Sequence, residues 1–182
     1  MIWLVLGLLL WAAAHLFKRL APGARAAMGD RAKGPVALVS VAAIVLMVIG
    51  YRAWDDSAVL WNRASWQIHL NNLAMLVALY LFAASGMKTR VTGWIRHPQL
   101  TAVLIWAGAH LLANGDVRSL VLFGGLAAWA VTAIALINRD TPAPPPPRPA
   151  PLGKEIGALV GAVLVTGLIG WVHMWFDLSP FR

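Results

Sequence analysis

Five histidines, the residues of this chain best able to do chemistry, lie in or at the ends of long apolar runs: His15, His69, His97, His110 and His173. Ionisable groups within membrane spans are costly, so each is a candidate functional residue. The chain has only seven acidic residues and no cysteine. Paired-carboxylate catalysis, acidic proton relays and thiolate sites are therefore poorly supported or excluded. Neutral imidazoles inside an apolar bundle are typical ligands of haem iron.

His110 has the most suggestive neighbours. Trp106 lies four residues before it and Asn114 four residues after it. Residues at this spacing share one face of a helix, so an aromatic ring and an amide flank a candidate ligand.

The other histidines have simpler alternatives. His173 lies between two tryptophans and is expected to be an interfacial anchor. His97 directly precedes Pro98 and is expected to cap a helix start. His69 is followed by two asparagines and suits an interhelical hydrogen bond.

The composition predicts a membrane protein. Apolar residues make up 60% of the 182 residues and charged residues 12%, against roughly a quarter in soluble domains. The net charge of +8 comes from basic residues in short gaps between apolar runs, so no basic face for nucleic acid is expected. The lipid bilayer is the expected partner.

Six apolar segments are long enough, or nearly so, to cross a bilayer, which takes about 20 residues. They run over 1–17, 35–51, 66–86, 98–112, 120–137 and 156–176, the fourth being short. Continuous apolar character predicts helices rather than barrel strands. We therefore expect an all-α integral membrane bundle of about six transmembrane helices, with residues 1–182 forming a single domain.

Charge asymmetry predicts the orientation. Eleven of the fifteen basic residues fall in the gaps after the first, third and fifth spans. Cytoplasmic loops carry an excess of Lys and Arg, so both termini are expected outside. Residues 138–155, with seven prolines between Pro142 and Pro151, are expected to form an extended cytoplasmic linker between the fifth and sixth spans.

Several motifs resemble the NnrU family of bacterial membrane proteins. They are Arg96-His97-Pro98-Gln99-Leu100, the stretch from Leu104 to Asp116, Gly7 to His15, and Phe123-Gly124-Gly125. The resemblance covers most of the chain. It implies a bacterial inner-membrane location, with both termini periplasmic, and a supporting role in denitrification and nitric oxide metabolism.

NnrU proteins are similar in turn to the plastid 15-cis-zeta-carotene isomerase, which contains haem b. That similarity implies His15 and His110 as metal ligands. The isomerase has a cysteine where this chain has Ala107, so ligand exchange through a thiolate is not available. By depth alone, His69 lies nearer the level of His110 and is the alternative ligand. The expected haem-binding residues are His15, His110, His69, Arg96, His97, Trp106 and Asn114.

The resemblance therefore implies a haem b protein with a redox-accessory role or an isomerase-like activity. A membrane redox partner and a hydrophobic small molecule or nitric oxide are the implied partners. Two alternatives remain. One is a non-catalytic assembly factor. The other is a methyltransferase, since Arg96-His97-Pro98 also resembles an element of the isoprenylcysteine methyltransferases, although Tyr, Gly and a later glutamate of that family are missing here.

Overall fold

The computed structural model describes residues 1–142 and 150–176, and their regular structure is helical. Seven α-helices follow in order: α1 Ile2–Leu20, α2 Pro22–Met28, α3 Lys33–Arg52, α4 Ser65–Met87, α5 Pro98–Ala113, α6 Val117–Asp140 and α7 Leu152–Met174. Two 3₁₀ turns, Gly29–Ala32 and Arg90–Gly93, precede α3 and α5. The predicted all-α class is confirmed.

Six of these helices correspond to the six predicted spans, and α2 is an addition. The five apolar helices other than α5 are long enough to cross a membrane, α3 being counted together with α2. At 16 residues α5 is the shorter one, as expected of the fourth span. Helix α2 escaped prediction because its seven residues contain no long apolar run.

Local sequence signals fix several helix ends. Pro98 opens α5 at a position where its missing N–H costs nothing. Asp116 is the N-cap of α6, and its carboxylate accepts a hydrogen bond from the Ser119 N–H at 2.9 Å. Lys88 ends α4 in the left-handed conformation with φ 54. Helix α1 runs past Phe17 to Leu20, because Lys18 and Arg19 suit the negative end of a helix dipole.

The chain clusters into two compact units, each assembled from separated parts of the sequence. The first comprises Met1–Trp61 and Asp116–Thr141, and the second Asn62–Gly115 and Pro142–Arg182, as far as these are described. The prediction of a single domain stays a prediction. Within the predicted linker 138–155, α6 continues to Asp140 and α7 begins at Leu152, while residues 143–149 lie outside the described residues.

In the first unit, α1 and α3 are antiparallel and pack through glycines. Gly50 of α3 lies against the backbone of Leu4, and Gly7 of α1 lies against Ala43 and Met47. Small residues allow such close approach, which is how helices commonly associate in membranes.

Helix α6 runs parallel to α1 in the same unit. Gly125 lies beside Leu8, and at the far end Arg19 Nη1 donates to Thr141 Oγ1 at 3.1 Å and lies 3.9 Å from the Asp140 carboxylate. At the opposite end the Tyr51 and Ser119 hydroxyls are hydrogen-bonded at 2.7 Å. The ends of α1 and α6 that the positive-inside rule groups together are therefore at one level within this unit.

The second unit is built from α4, α5 and α7. Ala78 and Leu81 of α4 and Ala102 of α5 form its buried cluster, with Trp106 packed against it. At one end the Glu155 carboxylate of α7 accepts the Arg90 N–H at 2.8 Å. This bond anchors the 3₁₀ turn between α4 and α5 to the beginning of α7.

Candidate functional site

Three of the five histidines are held in the same way by their own helices. The Nδ1 atoms of His15, His110 and His173 lie 2.9, 2.9 and 2.8 Å from the carbonyl oxygens of Trp11, Trp106 and Ile169, each four residues earlier. A carbonyl oxygen can only accept, so Nδ1 carries the hydrogen in each ring. In a neutral ring the lone pair is then on Nε2, the form in which a metal-binding imidazole is oriented by its other nitrogen.

In the first unit, His15 is part of an aromatic cluster. Its ring stacks on Trp11 with centroids 3.9 Å apart and meets the edge of Trp129 of α6 at 5.3 Å. The two tryptophans are themselves 5.4 Å apart in an edge arrangement. Both indole Nε1 atoms are buried, and neither has a hydrogen-bond partner in the part of the chain that the structure describes. The cluster fixes the imidazole at the last turns of α1.

In the second unit, His110 lies at the last turn of α5, half-buried. The Trp106 ring lies 5.1 Å from it at a tilt of 49°, and Asn114 Nδ2 donates to the His110 carbonyl at 2.9 Å. The predicted grouping of Trp106, His110 and Asn114 on one helical face thus has a definite form. The indole flanks the imidazole, and the amide completes the end of the helix.

His69 lies near the level of His110. The short connection between α4 and α5 makes these helices antiparallel, and Leu81 packs with Ala102. His69 is twelve residues before Leu81 and Asn114 twelve residues after Ala102, so these two are level. His110 is one turn away, which is about 6 Å along the axis. His69 itself is exposed on the unit.

His173 approaches the same end of the unit from α7. The Met87 side chain packs at Gly157, 3.4 Å from where a β-carbon there would lie, which places Asn71 and His173 at one level. The His110 and His173 rings are close enough to interact electrostatically. Asn71 Oδ1 is buried and has no hydrogen-bond partner among the described residues. This end of the unit therefore concentrates imidazole and amide groups.

Arg96 and His97 lie at the other end of α5. His97 is the N-cap, with its carbonyl accepting the Thr101 N–H at 2.8 Å, and both residues are half-buried. Thirteen residues of helix separate His97 from His110, which is about 20 Å. The structure thus brings Trp106, His110 and Asn114 together, with His69 nearby, and separates them from Arg96 and His97. His15 belongs to the first unit.

Three contributors were missed by reasoning from sequence. His173 was expected to be only an interfacial anchor, and Trp129 and Asn71 were not singled out. One signal was available: Trp11 precedes His15, and Trp106 precedes His110, by the same four residues, with alanine following each tryptophan and preceding each histidine. Trp129 has no such local signal, because its place depends on the packing of α6 against α1.

The donor set suits haem better than a bare metal ion. No group of three or more His, Cys, Asp or Glu side chains that could hold a metal ion occurs in residues 1–142 and 150–176. Iron in a porphyrin needs only axial ligands from the protein, and imidazole nitrogen is the commonest of them. Imidazoles turned by Nδ1–H hydrogen bonds to the backbone fit that requirement.

Fold and site together define an α-helical membrane protein with oriented histidines at the ends of its spans. The family model of the NnrU protein matches residues 3–180, nearly the whole chain. The chain belongs to the NnrU family, as its motifs predicted. No curated protein and no solved structure matches it.

Proposed function

We propose that this NnrU-family membrane protein binds haem b, with His110 as one axial ligand and either His15 or His69 as the other. The observation that carries the proposal is the hydrogen bond from His110 Nδ1 to the Trp106 carbonyl. It orients the ring with its lone pair on Nε2 in a chain that has no cysteine and few acids to offer instead. His15 is supported by the matching bond to Trp11, and His69 by its level near His110.

Bound haem would supply a one-electron redox couple and, where an axial ligand is lost, a position for nitric oxide or another small ligand. The chain's own residues would hold and orient. Trp106 and Asn114 restrain His110 from the turns on either side, and the apolar spans exclude water. This suits a redox-accessory role in denitrification or nitric oxide metabolism, or an isomerase-like activity. With Ala107 in place of a cysteine, such an activity would have to proceed without a thiolate ligand.

We place the protein in the bacterial inner membrane with both termini in the periplasm. The distribution of basic residues supports this orientation, and so do the contacts within each unit. In the first unit Arg19 meets Asp140, and in the second Arg90 meets Glu155. Each contact joins segments that the positive-inside rule assigns to the same, cytoplasmic side.

The orientation is tested by single cysteines, since the natural chain has none to remove. Asp55→Cys is expected to react in intact cells with a thiol reagent that cannot cross the membrane. Lys88→Cys is expected to react only after the cells are opened. The opposite pattern would contradict the proposed topology.

Haem binding is tested by absorbance spectra of the protein purified in mild detergent from cells supplied with haem, before and after dithionite. A Soret band that sharpens on reduction, with distinct α and β bands, is expected. His110→Ala should lose or broaden these bands. His97→Ala is the matched control, because it removes a histidine about 20 Å along the same helix, and it should keep them. A colourless, folded wild-type protein would refute the proposal.

A further inference from the structure

A basic cavity lies at the end of α1, where α1, α2 and the beginning of α3 meet within the first unit. Its volume is about 370 Å³, which is in the range of small-ligand sites. Three cationic side chains line it, Lys18, Arg25 and Lys33, and His15 borders it. Phe17 and Val36 contribute an apolar wall. The cavity therefore combines a positively charged side with an apolar side.

The positive charge of this cavity is only partly neutralised. Arg25 Nη1 donates to the Gly29 carbonyl at 2.6 Å, which leaves the charge of its guanidinium unpaired by that bond. Lys33 Nζ lies 2.8 Å from the Asp30 carboxylate, in a pair that is mostly exposed to solvent. Lys18 makes no ion pair with an acidic group in the described residues. Three cations thus face one carboxylate, and the residues lining the cavity include no acid.

The position of the cavity indicates which anion it suits. It lies at the basic end of an apolar span, where phospholipid headgroups lie against a membrane protein. Its apolar wall belongs to the same helices, α1 and α3, whose apolar side chains continue along the spans. A ligand that matches both sides has an anionic head and a hydrocarbon tail. A zwitterionic headgroup fits less well, because its cationic part would find only Asp30, which Lys33 already engages.

We propose that this cavity binds the phosphodiester headgroup of an anionic phospholipid. Lys18, Arg25 and Lys33 surround the phosphate, and an acyl chain follows Phe17 and Val36. The site is distinct from the proposed haem ligation, and its lipid can be measured with or without haem. Failure of one proposal therefore leaves the other to be judged separately.

The test is native mass spectrometry of the full-length protein in detergent, titrated with phosphatidylglycerol or with phosphatidylcholine of the same acyl chains. Phosphatidylglycerol is expected to bind more tightly. Neutralising the cavity with Lys18→Gln, Arg25→Gln and Lys33→Gln together is expected to weaken phosphatidylglycerol binding at least tenfold, since each basic residue near a headgroup is worth roughly a fivefold factor.

A matched triple variant separates a site from diffuse attraction. Lys88→Gln, Arg90→Gln and Lys154→Gln remove the same charge from the second unit and should leave phosphatidylglycerol binding within about threefold of wild type. Equal losses in the two triple variants would overturn the proposal, and so would phosphatidylcholine binding as tightly as phosphatidylglycerol.

A second variant keeps every charge and fills the cavity instead. Ala37→Phe places a ring at the apolar wall and is expected to weaken phosphatidylglycerol binding while circular dichroism shows unchanged helicity. Unweakened binding by this variant would contradict the proposal, even if the triple variant of the cavity does not fold. Competition by glycerophosphate as strong as that by the intact lipid would likewise overturn it, because the acyl chain would then contribute nothing.

Discussion

The close contact of α1 with α3 makes Gly50 a sensitive position. A β-carbon added there would lie 2.7 Å from Leu4 Cα and 2.8 Å from the Trp3 carbonyl carbon, and closer still to the Leu4 nitrogen. These are backbone atoms, so no side-chain rotation relieves the overlap. To reach ordinary van der Waals contact, the helices must separate by at least about 0.7 Å, a gap that forfeits a quarter to a half of the dispersion energy of the contacting atoms.

We therefore expect Gly50→Ala to lower the free energy of unfolding. Overpacking of this kind costs about 1–3 kcal/mol, and the better helix propensity of alanine returns at most about 1 kcal/mol. Gly34→Ala is the matched control on the same helix, because a β-carbon there meets nothing within 4 Å. It should be neutral or slightly stabilising.

Equilibrium unfolding in mixed detergent and dodecyl sulfate micelles, followed by circular dichroism, measures both variants. Gly50→Ala should unfold at a lower dodecyl sulfate fraction than wild type, and Gly34→Ala at the same or a higher fraction. If Gly50→Ala were as stable as Gly34→Ala, the packing of α1 on α3 described here would be wrong.

Further predictions concern the packing of α6. Asp116→Ala removes the N-cap of α6 and the 2.9 Å bond from Ser119 Oγ, and should cost about 1–2 kcal/mol in the same assay, while Asp116→Asn should retain most of the stability. Gly125→Ala should cost less than Gly50→Ala, because its new β-carbon meets only the end of the flexible Leu8 side chain; an equal loss would argue against this contact. Trp129→Ala should destabilise by about 3–5 kcal/mol and change the near-ultraviolet circular dichroism of Trp11, whereas an unchanged signal would contradict the aromatic cluster.

The spans could be predicted from sequence because each depends on a long apolar run with local end signals. Pro98 begins α5 as expected, and α3 begins at Lys33, two residues before the predicted Pro35. The family membership also followed from local motifs. The pairing of α6 with α1 could not be predicted, because it rests on contacts such as Gly125 with Leu8 that lie far apart in the chain.

The candidate site shows the same division. The spacing of Trp106, His110 and Asn114 predicted their shared face, because helical periodicity is a local property. The approach of His173 to His110 depends on how α7 packs against α4, and the contact of Trp129 with His15 depends on the packing of α6 against α1. No local pattern encodes either.

The most direct test of the central claim, that His110 is an axial ligand of haem iron, is electron paramagnetic resonance of the purified ferric protein. Wild type is expected to give the low-spin signal of iron with two nitrogen ligands, with His97→Ala unchanged. His110→Ala is expected to convert that signal to high spin or to lose the haem. A low-spin signal that is identical in His110→Ala and wild type would contradict the account.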